Sequence, residues 1–164
     1  MTELKTFSTR VSLLPAIREK MIPLLNQHLA DLLDLATQVK QAHWNVKGHH
    51  FYSLHLLFDS LAAELYESVD TVAERATALG GYASGTARMA AKASRLPEYP
   101  TDAVDGMAHV TALCDRYAAV GGTVRTAIKT ASEAGDDDTA DLFTGLSRDL
   151  DKNLWFLEAH LQGK

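Results

Sequence analysis

The chain has little with which to cross-link itself. One of its 164 residues is cysteine, Cys114, so an internal disulfide is excluded and a reducing, cytoplasmic setting is the expectation. Only four residues are proline, which leaves long stretches free to be helical. No apolar run reaches the ~20 residues of a membrane span. The opening MTELKTFSTRVSLLP lacks the apolar core of a signal peptide. Familiar site motifs are missing too. There is no Walker loop, no glycine-rich dinucleotide fingerprint and no His-Glu-x-x-His. There is no second cysteine for a zinc ribbon, and no Glu-x-x-His pair of the kind that builds a di-iron site inside one bundle. The net charge of −5 argues against nucleic-acid binding by the bulk surface.

What is present is helix. Hydrophobic content of 46% with 23% charged residues is ordinary globular usage, and the length suits one domain with a real core. Apolar residues recur at Ile17, Met21, Leu25, Leu32, Leu35 and Val39, which predicts a helix from about Pro15 to Trp44. A second helix is predicted from Phe51 to Leu79, with Leu54, Phe58, Leu61, Leu65, Val69, Val72, Ala76 and Leu79 as its core stripe and Gly80-Gly81 as its stop. A long connection follows, and its stretch from Thr86 to Ser94 reads as a short helix. Thr101 or Asp102 is expected to cap the third long helix, with Val104, Met107, Thr111, Cys114, Tyr117, Val124 and Ile128 inward and His109 off the stripe. Asp136, Asp137 and Asp138 place negative charge at the start of a fourth helix running to about His160. The expectation is an all-α four-helix bundle with a short extra helix between the second and third long ones, spanning residues 14–164 behind a flexible tail of residues 1–13.

The informative stretch runs from Gln41 to Gly81. His55 and Asp59 are i, i+4 neighbours, as are Asp70 and Glu74, so each pair projects side by side. All four share one helix face, centred roughly 130° from the core stripe. The pairs are about 16 Å apart along the axis, too far to share one metal within a chain. Their numbering offers a solution. The midpoint of 55 and 74 is 64.5, and so is that of 59 and 70. Two copies laid antiparallel about a two-fold axis near Glu64 and Leu65 therefore bring His55 and Asp59 of one against Glu74 and Asp70 of the other, and make two identical sites. Ala62, Ala63 and Tyr66 lie between, small or flat enough for close approach. Imidazole with carboxylates is a mixed N/O set that suits iron, zinc or manganese. The competing reading is a solvated acidic face. The matching midpoints, with His43 nearby, favour the metal. His28 reads as a core histidine, Cys114 as a buried small hydrophobe, and His49 and His50 as exposed loop residues.

The stretch KQAHWNVKGHHF, then His55 and Asp59, then VDTVAERATALGG, and finally DDDTADLFTGLSRDLDKNLWFLE together resemble the Dps family, the mini-ferritins called DNA-binding proteins from starved cells. The resemblance covers nearly the whole chain after residue 10. It implies a ferritin-like bundle, a hollow dodecamer built from two-fold dimers, and iron sites at the two-fold interfaces. By that likeness His43, His55 and Asp59 of one subunit and Asp70 and Glu74 of the other hold the iron, and Trp44 stands beside it. The implied activity is ferroxidation, Fe(II) to Fe(III), preferably by hydrogen peroxide, with ferric oxide stored in the shell and DNA thereby protected. Zinc is the expected competitor for the site. Asp136, Asp137 and Asp141 match family positions near a three-fold pore that draws iron inward.

Two departures stand out. Leu56 follows the second site histidine where many relatives carry an acidic residue, which is expected to weaken mineral nucleation on the inner wall. The tail, with Lys5 and Arg10 against Glu3, is less basic than in the strong DNA binders of the family. At −5 per chain a dodecamer carries about −60 formal charges and repels phosphates unless tails or divalent cations bridge. The alternative reading is accordingly a nucleoid-structuring protein whose metal site is vestigial or filled by zinc.

Overall fold

The computed structural model describes residues 5–163. It contains five helices: α1 (Pro15–Asn45), α2 (Phe51–Ala78), the short α3 (Ala87–Ala93), α4 (Gly106–Ala134) and α5 (Asp137–Glu158). Among the described residues there is no strand, only an isolated bridge between Lys47 and Asp105. Among the described residues no helix is long and apolar enough to cross a membrane. α1 packs along α2 and α4 along α5, while α3 lies against α1. The two hairpins share one core, in which Met21, Leu25, Leu29, Leu32 and Leu35 of α1 meet Leu54, Phe58, Leu61 and Leu65 of α2, Tyr117 and Val124 of α4, and Phe143 of α5.

The ends of the helices follow from their local chemistry. Pro15 sits at the first helical position, where its missing N–H costs nothing. α2 closes in a Schellman motif. Gly80 adopts φ +87°, its N–H donates to Thr77 O, and the Gly81 N–H donates to Ala76 O. Thr86 caps α3 by accepting from the Met89 N–H. Gly135, at φ +86°, ends α4 and turns directly into α5, whose cap is Asp136.

The long connection, residues 79–105, is bound down by polar side chains of α1. Asp31 is almost fully buried and receives the Arg95 backbone N–H and guanidinium. Asp34 accepts from Ser94 Oγ, Gln27 donates to Ala93 O, and Asn26 donates to Tyr82 O and accepts from the Ser84 N–H. These are the groups a buried loop backbone requires.

Several expectations need correcting. α4 starts at Gly106 under Asp105, which accepts from the Met107 and Ala108 N–H groups, not under Thr101 or Asp102. The residues between are used elsewhere, since Val104 O accepts from the Lys47 N–H. Val104 and Thr111 are exposed rather than inward. His109 is buried, not idle: its Nδ1 lies 2.7 Å from the Tyr99 hydroxyl. The segment before α1 is held in part, for the Phe7 N–H donates to Gly80 O at 2.8 Å; residues 1–4 of that tail lie outside the described residues. Cys114 is buried, and burial pushes its thiol up to about 11.

His28 is buried, with Nδ1 on Leu24 O at 2.9 Å and its ring tilted against Phe143. Burial holds its pKa below the ordinary 6.5, outweighing the opposing Leu24 carbonyl; Arg95 adds to the lowering. Burial lowers His109 in the same direction. The unfolded chain therefore takes up protons near 6.5 that the folded chain refuses, so the contribution of these two histidines to stability is present above that value and is lost as pH drops below it. A His28→Gln, His109→Gln double variant is expected to lose less stability than the unchanged chain between about pH 7.5 and about pH 5.5. Urea midpoints at the two pH values measure this, and an equal loss in both proteins refutes it.

Candidate metal centre

Burial of Leu54, Phe58, Leu61, Leu65, Val72 and Ala76 fixes how α2 is rotated. The opposite face turns outward and carries Asp59, Asp70 and Glu74, all exposed. Tyr52, Leu56 and Tyr66 lie on that same outward side, 71%, 49% and 45% exposed. A helix that shows three large apolar side chains among its carboxylates has a second face to cover. Ala62, expected between the site pairs, belongs instead to the bundle's own core; Ala63 faces out.

His43 comes from the last turn of α1 and His55 from the second turn of α2. The tight connection 46–50 folds these turns together, and the two rings stack with centroids 3.8 Å apart and planes 19° from parallel. Each ring is anchored on the other's backbone. His43 Nδ1 lies 2.8 Å from His55 O, and His55 Nδ1 lies 2.9 Å from His43 O. A carbonyl only accepts, so both Nδ1 atoms carry the proton. In the neutral ring each Nε2 is then the lone pair, which is the tautomer a metal takes.

Asp59 stands one helical turn beyond His55. Its carboxylate receives Lys40 Nζ at 2.7 Å. The hydrogen bond from Lys40 is the chief reason that the Asp59 carboxyl sits below its ordinary range, and the Lys40 ammonium charge acts the same way. Lys40, one turn before His43 on α1, was not anticipated as part of the site. Its i, i+3 spacing from His43 was the available signal. Trp44 is 64% exposed, with Lys40 Nζ 6.0 Å from its ring centre.

The structure stacks His43 on His55, sets Asp59 one turn beyond His55, and leaves Asp70 and Glu74 about three further helical turns along α2. Among the described residues no group of three or more histidine, cysteine or acidic side chains is placed to hold a metal within one chain. His49 and His50 are exposed in the loop and join no such group.

The acidic start of α5 divides. Asp136 is buried at the helix cap, where it accepts from the Thr139 N–H and hydroxyl and from Arg75 Nη2 at 2.7 Å. It is a structural tie between α2 and α5, unsuited to lining a pore. Asp137 and Asp141 are exposed one turn apart and remain free to attract cations. A cavity of about 630 Å³ between α2 and α5 adds Glu64, Glu67, Asp138, Asp141 and Asp149 against the single Arg148. Lys5 and Arg10 are exposed on the segment before α1.

A Ferritin-like domain family matches residues 22–163. The "DNA protection during starvation protein" of Agrobacterium fabrum is 45% identical over 98% of this chain and 99% of its own length. Among solved structures, DpsC from Streptomyces coelicolor superposes with a TM-score of 0.94 at 32% identity, covering all of this chain and 96% of its own. A Dps protein from Vibrio cholerae O1, described as a member of a broad superfamily of ferritin-like diiron-carboxylate proteins, has a TM-score of 0.88 at 26% identity, covering 99% of this chain and all of its own.

Lys40 competes with any cation for Asp59. Lys40→Met is expected to tighten Co(II) binding by about tenfold, the scale of effects seen when groups around metal ligands change. Titration followed by visible absorbance measures this, and weaker or unchanged binding removes Lys40 from the site's electrostatics.

Proposed function

The chain belongs to the Dps family of ferritin-like proteins, and from that premise we propose that it is a ferroxidase and iron store whose sites are shared between two copies. The observation that carries the reading is the split donor set. His43 and His55 present two unprotonated Nε2 atoms beside Asp59, while Asp70 and Glu74 wait at the far end of the same outward face with no partner set in their own chain. The shared midpoint of the two pairs makes an antiparallel two-fold contact complete both sites at once.

Each group then has a task. The imidazoles and Asp59 bind Fe(II), and Asp70 and Glu74 of the second copy supply the negative charge that favours Fe(III) over Fe(II). Lys40 holds Asp59 ionised and in place until metal displaces it. The remaining open positions admit hydrogen peroxide. The balanced reaction is 2 Fe²⁺ + H₂O₂ + 2 H₂O → 2 FeOOH + 4 H⁺, in which each iron gives one electron and the O–O bond takes two. Asp137, Asp141 and the acidic groove between α2 and α5 draw Fe(II) inward and accept the product in a dodecameric shell. Zinc, with the same taste for imidazole and carboxylate, is the natural inhibitor. Consuming Fe(II) and peroxide together protects DNA without touching it.

Direct DNA binding is the second reading, carried by the exposed Lys5 and Arg10 and opposed by the net charge. A shift of duplex DNA in a low-salt gel, lost on deleting residues 1–12, supports it. No shift with or without magnesium ends it.

Asp70→Ala with Glu74→Ala is expected to assemble as the unchanged chain does and to lose rapid Fe(II) oxidation. Anaerobic Fe(II) loading followed by peroxide, read as ferric absorbance, should show about two irons oxidised per peroxide in the unchanged chain. Equal oxidation rates in the two proteins overturn the site.

A further inference from the structure

The end of α2 leaves a short account of backbone carbonyls to settle. A helix C-terminus exposes its last C=O groups, and each needs a donor. The Schellman motif satisfies the first of them, with Leu79 N on Arg75 O, Gly81 N on Ala76 O and Gly80 N on Thr77 O. Three carbonyls remain, those of Ala78, Leu79 and Gly80. All three receive donors from the chain's opening residues. Thr9 Oγ1 donates to Ala78 O at 3.3 Å, Arg18 Nη1 to Leu79 O at 3.3 Å, and the Phe7 N–H to Gly80 O at 2.8 Å. Arg18 also takes Leu13 O with its Nε, which ties the same segment to the first turn of α1. The fit is close: a Cβ at Gly80 would stand 2.4 Å from Phe7 O.

The helix so capped is the one that carries the carboxylate half of the metal centre. Glu74 is one turn from Ala78 and Asp70 two turns. Besides these opening residues, this end is held by the buried Ala76 and Leu79 and by Arg75, itself bonded to Asp136 and Thr139 of α5. Arg75 lies on the inward side of α2, whereas Asp70 and Glu74 face outward. A helix end with unmet carbonyls frays in its last turn, and a frayed last turn lets Glu74 wander.

We propose that Phe7 and Thr9, with Arg18, are positioning residues for the metal centre: by completing the cap of α2 they hold Glu74 and Asp70 in register for the imidazoles of the second copy. The inference rests on the shared-site reading above and extends it to residues far from any ligand. It also gives the segment before α1 a task that does not involve DNA.

The test uses the full chain in its assembled form with Co(II) as the metal. Phe7→Pro removes the donating N–H, and Thr9→Val removes the hydroxyl at constant shape; Thr9→Ser restores it. The Phe7→Pro, Thr9→Val double variant is expected to bind Co(II) about fivefold more weakly, less than the loss from a direct partner of a ligand. The absorbance spectrum at saturation should be unchanged, because the ligands are the same. Hydrogen exchange at the amides of residues 79–81 should quicken while the thermal midpoint holds, and Thr9→Ser should bind as the unchanged chain does. Faster exchange with unchanged Co(II) affinity makes the cap merely structural and overturns the proposal. Unchanged exchange shows that the strap does not cap α2 and overturns it equally. Failure of the unchanged chain to bind Co(II) removes the shared site itself, and the exchange result then separates that failure from a failure of the cap.

Discussion

Everything about this chain turns on the rotation of α2. Seven of its side chains are buried in the bundle core, and burial of each large one is worth about 1.5–3 kcal/mol. Rolling the helix by even one residue would expose several of them at once. The outward face is therefore fixed by packing on the inward face, and the ligands inherit their direction from leucines they never touch. The imidazole clasp adds the second coordinate. His43 and His55 each hold the other's carbonyl, so the end of α1 and the start of α2 cannot slide apart without breaking both bonds.

A site built on one continuous helix face has a geometric consequence. Donors at both ends of a straight face cannot converge within one chain; they converge only across a symmetry axis. Bundles that place ligands on facing helices solve the same problem internally. In the arrangement proposed above the facing helix is another copy of α2, and the exposed Tyr52 and Tyr66 are apolar surface that such a contact would cover.

Much of this was readable before any coordinates. The 3.6-residue period exposed the α2 stripe, and the i, i+4 pairs exposed the outward donors, because both are properties of a single helix. What escaped was set by contacts between elements. Asp136 looked like one more acid in a run, and only the approach of Arg75 from α2 makes it a buried tie. His109 lay off a predicted stripe drawn through Val104 and Thr111, which the fold leaves exposed; the buried face runs through His109, Val110, Leu113 and Tyr117, and Tyr99 from the connection covers His109. Asp31 and Arg95 are 64 residues apart, a pairing no local pattern announces. Lys40 drew no attention in the sequence, because a cation beside prospective cation ligands carries no pattern of its own; its ammonium lies on Asp59.

The burial of Cys114 has a chemical meaning for a protein proposed to meet peroxide. Peroxide attacks thiolate, not thiol. With burial pushing the group up to about 11, the thiolate is a minor form at neutral pH. The single thiol of the chain is thus held in its protonated, less reactive form.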